Sequence, residues 1–479
     1  MYQIVLVLLF GLSLTLQASE LSASEMAVSE LSPSELNPSE LSPAAQGATQ
    51  LTSAQQKIAR AEYPTETLYQ LWLAQQQDPT AALRFYQKLA QKHQVELDPA
   101  DPSKARVTYF AKGSADTDYL LQSGGPDFYG LRFQQIGNSP IYFCIQHIPA
   151  DAWFNYGINE FKRTPSPTVP GLWQNRMAHI ADGSVIGPKA PLSPYIHHNP
   201  ATPQGQLTEQ VVSSAIMAEE RRITVYQPAA DPASIRHKLV VQFDGQNYAR
   251  GPAAGPDWEG WTPMPTILDN LIAAEKIAPT IVIFVHNQGN RSGDLISSNM
   301  ADFVGLELIP WARKHYRISA DAADVVVSGA SRGGFAAAHT ALRHPAIVGG
   351  VLSQSGSFYY TLQPTENWPI YPEFDGKLLL DYQRSAKFKL RFYLDVGLYD
   401  LGLAAVGTNR QFRDILLLKG YQVDYVQYNG GHAHLGWRHT LANGLLVLLG
   451  RRPNEPRPNE PQPNEPQLTE NTASKHPAR

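Results

Sequence analysis

Residues 325–339 read VVVSGASRGGFAAAH, and this stretch decides the fold. Three valines and small residues run into Gly329-Ala330-Ser331-Arg332-Gly333, and an alanine-rich pattern follows. The apolar run predicts a buried strand, and the residues from Phe335 to His344 predict a helix that stops before Pro345. Between them lies G-x-S-x-G. A serine meant to attack a substrate must stand exposed on a sharp strand-to-helix turn, with glycines that let the two backbones approach. The pattern alone is common by chance, and its context makes Ser331 the candidate nucleophile. A hydroxyl merely capping a turn is the plainer alternative.

Outward from that turn, short apolar strands alternate with helical stretches from about residue 207 to 450. "HKLVVQFDG", "PTIVIFVHN", "GGVLSQSG", "RFYLDVG" and "VDYVQYNGG" are the clearest strands. Continuous apolar strands with helical crossovers predict an α/β domain, a mostly parallel sheet covered by helices on both faces. Ligands in such sheets bind beyond the carboxyl ends of the strands. A serine hydroxyl needs a base, and in this arrangement the order is Ser, acid, His. Asp400 follows the strand in "FYLDVGLYD", and His432 follows the strand in "YVQYNGGHAH". His432 is the expected base and Asp400 the expected acid, with Asp395, inside its strand, the rival. Two backbone N–H groups should stabilise an oxyanion: that of Arg332, next after the nucleophile, and that of Gln246, in the turn after "LVVQFDG". His434 and His439 sit close to His432, but no carboxylates at ligand spacing accompany them, so no metal and no cofactor is expected.

The rest of the chain reads as distinct segments. Ile4 to Leu16 form an apolar run too short to span a membrane and suited to an export signal cleaved after Ala18. The expected organisation is a signal over 1–18, a disordered Ser-Glu-Leu repeat over 19–50, and a helical segment over 51–105. A small β-sandwich should cover 106–163, a Pro/Gly-rich linker 164–206, and the α/β domain 207–450. A disordered Pro-Asn-Glu-Pro tail closes the chain over 451–479. Export of a protein whose single cysteine, Cys144, rules out an internal disulfide fits a periplasmic location. A net charge of −4 with no basic patch argues against a nucleic-acid partner.

From Ala218 to Gly450 the chain resembles the putative esterase (esterase D-like) family of α/β hydrolases, and within it the enterochelin esterases. The resemblance rests on "FDGQNY", "NRSGDLISSNMADFVGLELIP", "SGASRGGFAAAHTALRHPAIVGGVLSQSGS", "LDVGLYD" and "GGHAHLGWR", five motifs in order. "GNSPIYFCIQHIPADAWF" resembles the immunoglobulin-like N-terminal domain of those enzymes. The resemblance implies hydrolysis of the ester bonds of a ferric catecholate siderophore through an acyl-enzyme on Ser331, so that iron is released. It matches Ser331 and His432 to nucleophile and base, and both Asp400 and Asp395 to carboxylate positions. An anionic catecholate calls for cations, which Arg291, Arg332 and Arg438 would supply, while Trp437 would stack on an aromatic ring. The β-domain is expected to shape the substrate entrance without taking part in chemistry. Feruloyl, acetyl or other small acyl esters are the alternative substrates. A non-catalytic binding protein is the alternative class, against which the intact Ser, Asp and His set stands.

Overall fold

A computed structural model describes residues 52–165, 173–229, 235–251, 260–359 and 376–450. The expected signal, Ser-Glu-Leu repeat and Pro-Asn-Glu-Pro tail lie outside the described residues. The chain divides into two compact units, Met1–Gln77 and Asp78–Arg479. In the first, a helix over Ser53–Glu62 opens on a capping box, with the Gln55 N–H donating to Thr52 Oγ1 (3.2 Å) and the Thr52 N–H to Gln55 Oε1 (2.9 Å). A second helix spans Glu66–Gln77.

The second unit starts with a helix over Ala81–Lys88 and continues as a β-domain. Its strands are β1 (His93–Leu97), β2 (Lys104–Lys112), β3 (Thr117–Gly124), β4 (Asp127–Arg132), β5 (Gln134–Gln135), β6 (Ile141–Pro149), β7 (Trp153–Pro165) and β8 (Trp173–Ile186). They form two four-stranded sheets, ordered β1-β2-β6-β5 and β4-β3-β7-β8, with every pairing antiparallel. Phe154, Tyr156 and Ile158 alternate inward from β7 to join Val107, Tyr109 and Leu120 in one core, which also buries Cys144.

Two expected boundaries move. The helical segment ends at Lys88, because β1 pairs with β2 and belongs to the β-domain. The expected linker contains β8, which pairs with β7 along its whole length. Prolines crowd residues 165–170 and 188–194, but none falls between Trp173 and Ile186, so that stretch keeps the amide donors a ladder needs.

The second sheet system holds β9 (Gln206–Ser214), β10 (Glu219–Gln227), β11 (Lys238–Gln242), β12 (Thr280–Val285), β13 (Val325–Ala330), β14 (Gly350–Gln354), β15 (Arg391–Gly397) and β16 (Gln422–Tyr428). The order is β16-β15-β14-β13-β11-β12-β10-β9. The pairings from β16 through β12 are parallel, and those of β10 with β12 and with β9 are antiparallel. Leu239 and Val241 pack on one face with Phe335, Leu379 and Phe412, from helices over Arg332–Arg343, Lys377–Arg384 and Gly402–Leu418. Val240 packs on the other with Leu268 and Leu445, from helices over Met264–Ala273 and His434–Leu449. Coverage on both faces is why the inner parallel strands β11 to β15 are buried and read as nearly unbroken apolar runs, whereas the edge strands β9 and β16 are not. Ser331, Asp400 and His432 all follow the carboxyl ends of strands in the parallel part.

Candidate active site

Ser331 follows β13 directly, and the next residue opens a helix. Its backbone sits at φ 58°, ψ −122°, a region that L residues avoid and that costs about 1–3 kcal/mol. Three contacts hold it there. The Ser331 N–H donates to Gln354 O (2.8 Å), its carbonyl accepts from the Ser357 N–H (3.0 Å), and the two hydroxyls meet at 3.2 Å. The glycines are required by space: a Cβ on Gly329 would stand 2.4 Å from the carbonyl carbon of Gly333. The sharp turn predicted from "SGASRGG" is therefore present.

β14, β15 and β16 are neighbours, so the loops after them lie side by side. The loop after β15 carries Asp400, which is wholly buried, and the loop after β16 carries His432. His432 Nδ1 lies 2.6 Å from Asp400 Oδ1, the geometry of a short, charge-assisted bond. Backbone bonds tie the loops together: the Leu398 N–H donates to Tyr428 O and the Tyr399 N–H to Gly430 O, both at 2.8 Å. The Trp437 indole stands edge-on to the His432 ring, with centroids 5.0 Å apart. The Ser331 hydroxyl is bonded to Ser357 and not to His432.

Asp395 sits inside β15, wholly buried, and makes no bond to His432. Burial pushes its carboxyl up to about 7, and the nearby Asp400 adds to the rise. Gln354 and Thr440 lower it somewhat, yet neither makes a well-formed bond to it. The Gln354 amide donates to Trp437 O (2.9 Å) and Thr440 Oγ1 (2.7 Å), and neither Asp395 oxygen has a partner among the described residues.

The turn bearing Gln246 lies against the nucleophile turn, since a Cβ on Gly333 would stand 3.1 Å from Asp244 Oδ2. Asp244 has φ 56°, and its carboxylate is held by Arg291 (Nε–Oδ1 2.5 Å, Nη2–Oδ2 2.8 Å) and by Asn287 Nδ2 (2.5 Å). The Asn287 N–H donates to Gln246 Oε1 (3.1 Å), which fixes that residue as well.

The expected substrate cations need correction. Arg291 is engaged in a bidentate pair with Asp244. Arg438 is 1% exposed and offers no surface to a ligand. Trp437, at 6% exposed, spends its indole N–H on Ser355 Oγ (3.0 Å) and packs beneath His432, not over a substrate ring. The Arg332 guanidinium donates to Ser292 Oγ. Both rival histidines are occupied. His434 Nδ1 bonds Thr262 Oγ1 (3.0 Å), and burial depresses it to about 4. His439 Nδ1 accepts the Ser193 N–H (3.1 Å), and burial depresses it to about 3. Among the described residues no group of three or more His, Cys, Asp or Glu side chains is placed to hold a metal. Ser357 and the Asp244–Asn287–Arg291 set were missed by sequence reasoning. The only local signal was the third serine of "SQSGS".

A strained serine on a strand-to-helix turn and a His–Asp pair on neighbouring loops, at the carboxyl edge of a mostly parallel sheet, are features of an α/β hydrolase-like fold. Residues 214–448 match the model of the family described as Putative esterase, and this segment of the chain belongs to that family. The chain is similar to the iron(III) enterobactin esterase of Dickeya dadantii, with 28% identity over 242 residues, 48% of this chain and 52% of the relative. It is also similar to the iron(III) enterobactin esterase of Escherichia coli O6:H1, with 26% identity over 290 residues, 59% of this chain and 66% of the relative. The chain thus spans about half to two-thirds of the length of these relatives. In fold it is similar to the enterobactin esterase of Shigella flexneri solved in the presence of enterobactin, with a TM-score of 0.58 and 20% identity over 76% of this chain and 97% of that one.

Proposed function

We propose that the protein is a serine esterase that hydrolyses ester bonds of an iron-bound catecholate siderophore. The observation that carries this reading is the 2.6 Å His432–Asp400 bond on loops at the same carboxyl edge of the sheet as the strained Ser331 turn. Asp400 holds the proton on Nδ1, leaving Nε2 free to accept the Ser331 proton as Oγ attacks the ester carbonyl. The N–H groups of Arg332 and Gln246 stabilise the oxyanion. Collapse expels the alcohol, which takes the proton from His432, and water then releases the acyl group by the same route. Cleaving the chelator's backbone loosens its hold on iron. The substrate class comes from the similarity to enterobactin esterases. The β-domain, two antiparallel sheets around one core, is of the immunoglobulin-like kind, and the apolar N-terminus exports the chain to the periplasm.

A hydrolysis screen tests this. Ferric enterobactin, p-nitrophenyl acetate and methyl ferulate are offered to the wild type and to Ser331→Ala, with products identified by mass spectrometry. Cleavage of ferric enterobactin far faster than of the two small esters supports the reading. Preference for methyl ferulate moves the substrate to feruloyl esters, and full activity in Ser331→Ala refutes the mechanism.

A further inference from the structure

The loops that carry Asp400 and His432 are gripped from outside the α/β domain. The grip comes from Asp151 to Phe154, where the β-domain turns into β7. The Trp153 N–H donates to Asn429 O (2.8 Å), and Trp153 forms a parallel bridge with Gly430. The Asn429 side-chain amide donates to Asp151 Oδ1 across 278 residues of sequence (2.8 Å). The Trp153 indole stacks on Tyr428, with centroids 5.5 Å apart and planes 28° apart. Phe154 meets Tyr399 edge to face at 5.7 Å, and the Tyr399 hydroxyl donates back to Asn429 Oδ1 (3.2 Å). Tyr399 is the residue before Asp400, and Asn429 lies three residues before His432. Trp153 is 3% exposed and Phe154 1%. Gly430 fits this contact because a Cβ there would stand 3.0 Å from Trp153 Nε1 and 2.4 Å from the Tyr428 ring.

We infer that Trp153 and Phe154, with Asp151, are positioning residues for the acid–base pair, so that the β-domain completes the active site and does not merely shape its entrance. This rests on the reading of Ser331, Asp400 and His432 given above. The physical reason is that both loops lie past the ends of β15 and β16, where sheet pairing no longer fixes them. Their mutual backbone bonds tie them to each other, and Trp437 packs against His432 from within the α/β domain. The β-domain contacts add a restraint at Tyr399, Asn429 and Gly430, just ahead of both Asp400 and His432. Proton transfer tolerates little error, and a displacement of about 1 Å costs as much as about 100-fold in rate.

The test uses the full chain with Trp153→Ala, Trp153→Phe and Asp151→Ala, the last at an exposed position that folding tolerates. Active-site titration with a serine-directed phosphonate counts competent sites, and kcat per site and KM are then measured on p-nitrophenyl acetate from pH 5 to 9. Trp153→Ala should lower kcat per site about 10- to 100-fold with KM within about twofold, Asp151→Ala about 3- to 10-fold, and Trp153→Phe should recover most of the loss. Unchanged kcat per site in both Trp153→Ala and Asp151→Ala would overturn the inference. Retained activity in His432→Ala would instead overturn the catalytic reading beneath it.

Discussion

Replacing Asp395 by Asn should make the protein more stable above neutrality and leave its stability near pH 4 almost unchanged or slightly lower. Asp395 is wholly buried in β15, and its carboxyl titrates at about 7 instead of 3.8. Desolvation is the main cause, and the charge of Asp400 is a second. Between those two pH values the folded protein keeps a proton that the unfolded chain has released, so folding stability falls as pH rises. The contribution is fully present below 3.8 and lost as pH climbs through about 7. At about 1.4 kcal/mol per pH unit, the loss comes to about 4 kcal/mol. Asn cannot ionise and escapes that loss. Its amide inherits the same lack of partners, a pH-independent cost of about 1–3 kcal/mol at most. Urea unfolding of both proteins at pH 5, 6, 7 and 8, followed by tryptophan fluorescence, gives the difference directly. It should grow in favour of Asp395→Asn over that range by about 2–3 kcal/mol. A difference that stays flat from pH 5 to 8 would show that Asp395 is ionised in the folded protein, and the reasoning from burial would fail.

Three further outcomes are expected. Ser331→Ala and His432→Ala should each lower kcat on p-nitrophenyl acetate by about 10⁴-fold or more, with the double variant scarcely worse, because both act in one transition state; additive losses would argue against a shared step. Asp400→Asn should cost about 10³–10⁴ in kcat at pH 7 while Asp395→Asn costs little, since only Asp400 touches His432, and the reverse ranking would move the acid to Asp395. Arg291→Gln should lower kcat about 10-fold with little change in KM, because it frees the Asp244 turn that carries Gln246; a rise in KM alone would return Arg291 to the role of substrate cation.

The nucleophile turn was legible in the sequence because every part of it is local. Strand, serine, glycines and helix lie within residues 325–344, and strand and helix propensities plus the space a glycine leaves are short-range physics. The order Ser331, Asp400, His432 was equally legible, since each follows a strand pattern, buried and apolar before Ser331 and Asp400 and alternating on the half-buried edge strand β16 before His432. β8 was hidden because prolines on both sides of Trp173–Ile186 gave the whole region a linker's composition, and only pairing with β7 shows it to be a strand. The choice between Asp400 and Asp395 needed the tertiary structure. Both are aspartates near one strand end, and which one reaches His432 depends on how the loops after β15 and β16 meet. The same holds for Arg291, Trp437 and Arg438. A sequence shows that an arginine or tryptophan is present, but whether it faces a ligand, pairs with Asp244 or packs beneath His432 is settled by residues far away in the chain. The grip of Asp151 and Trp153 on Asn429 is the extreme case, since contacts across more than 270 residues leave no periodicity or spacing for a sequence to display.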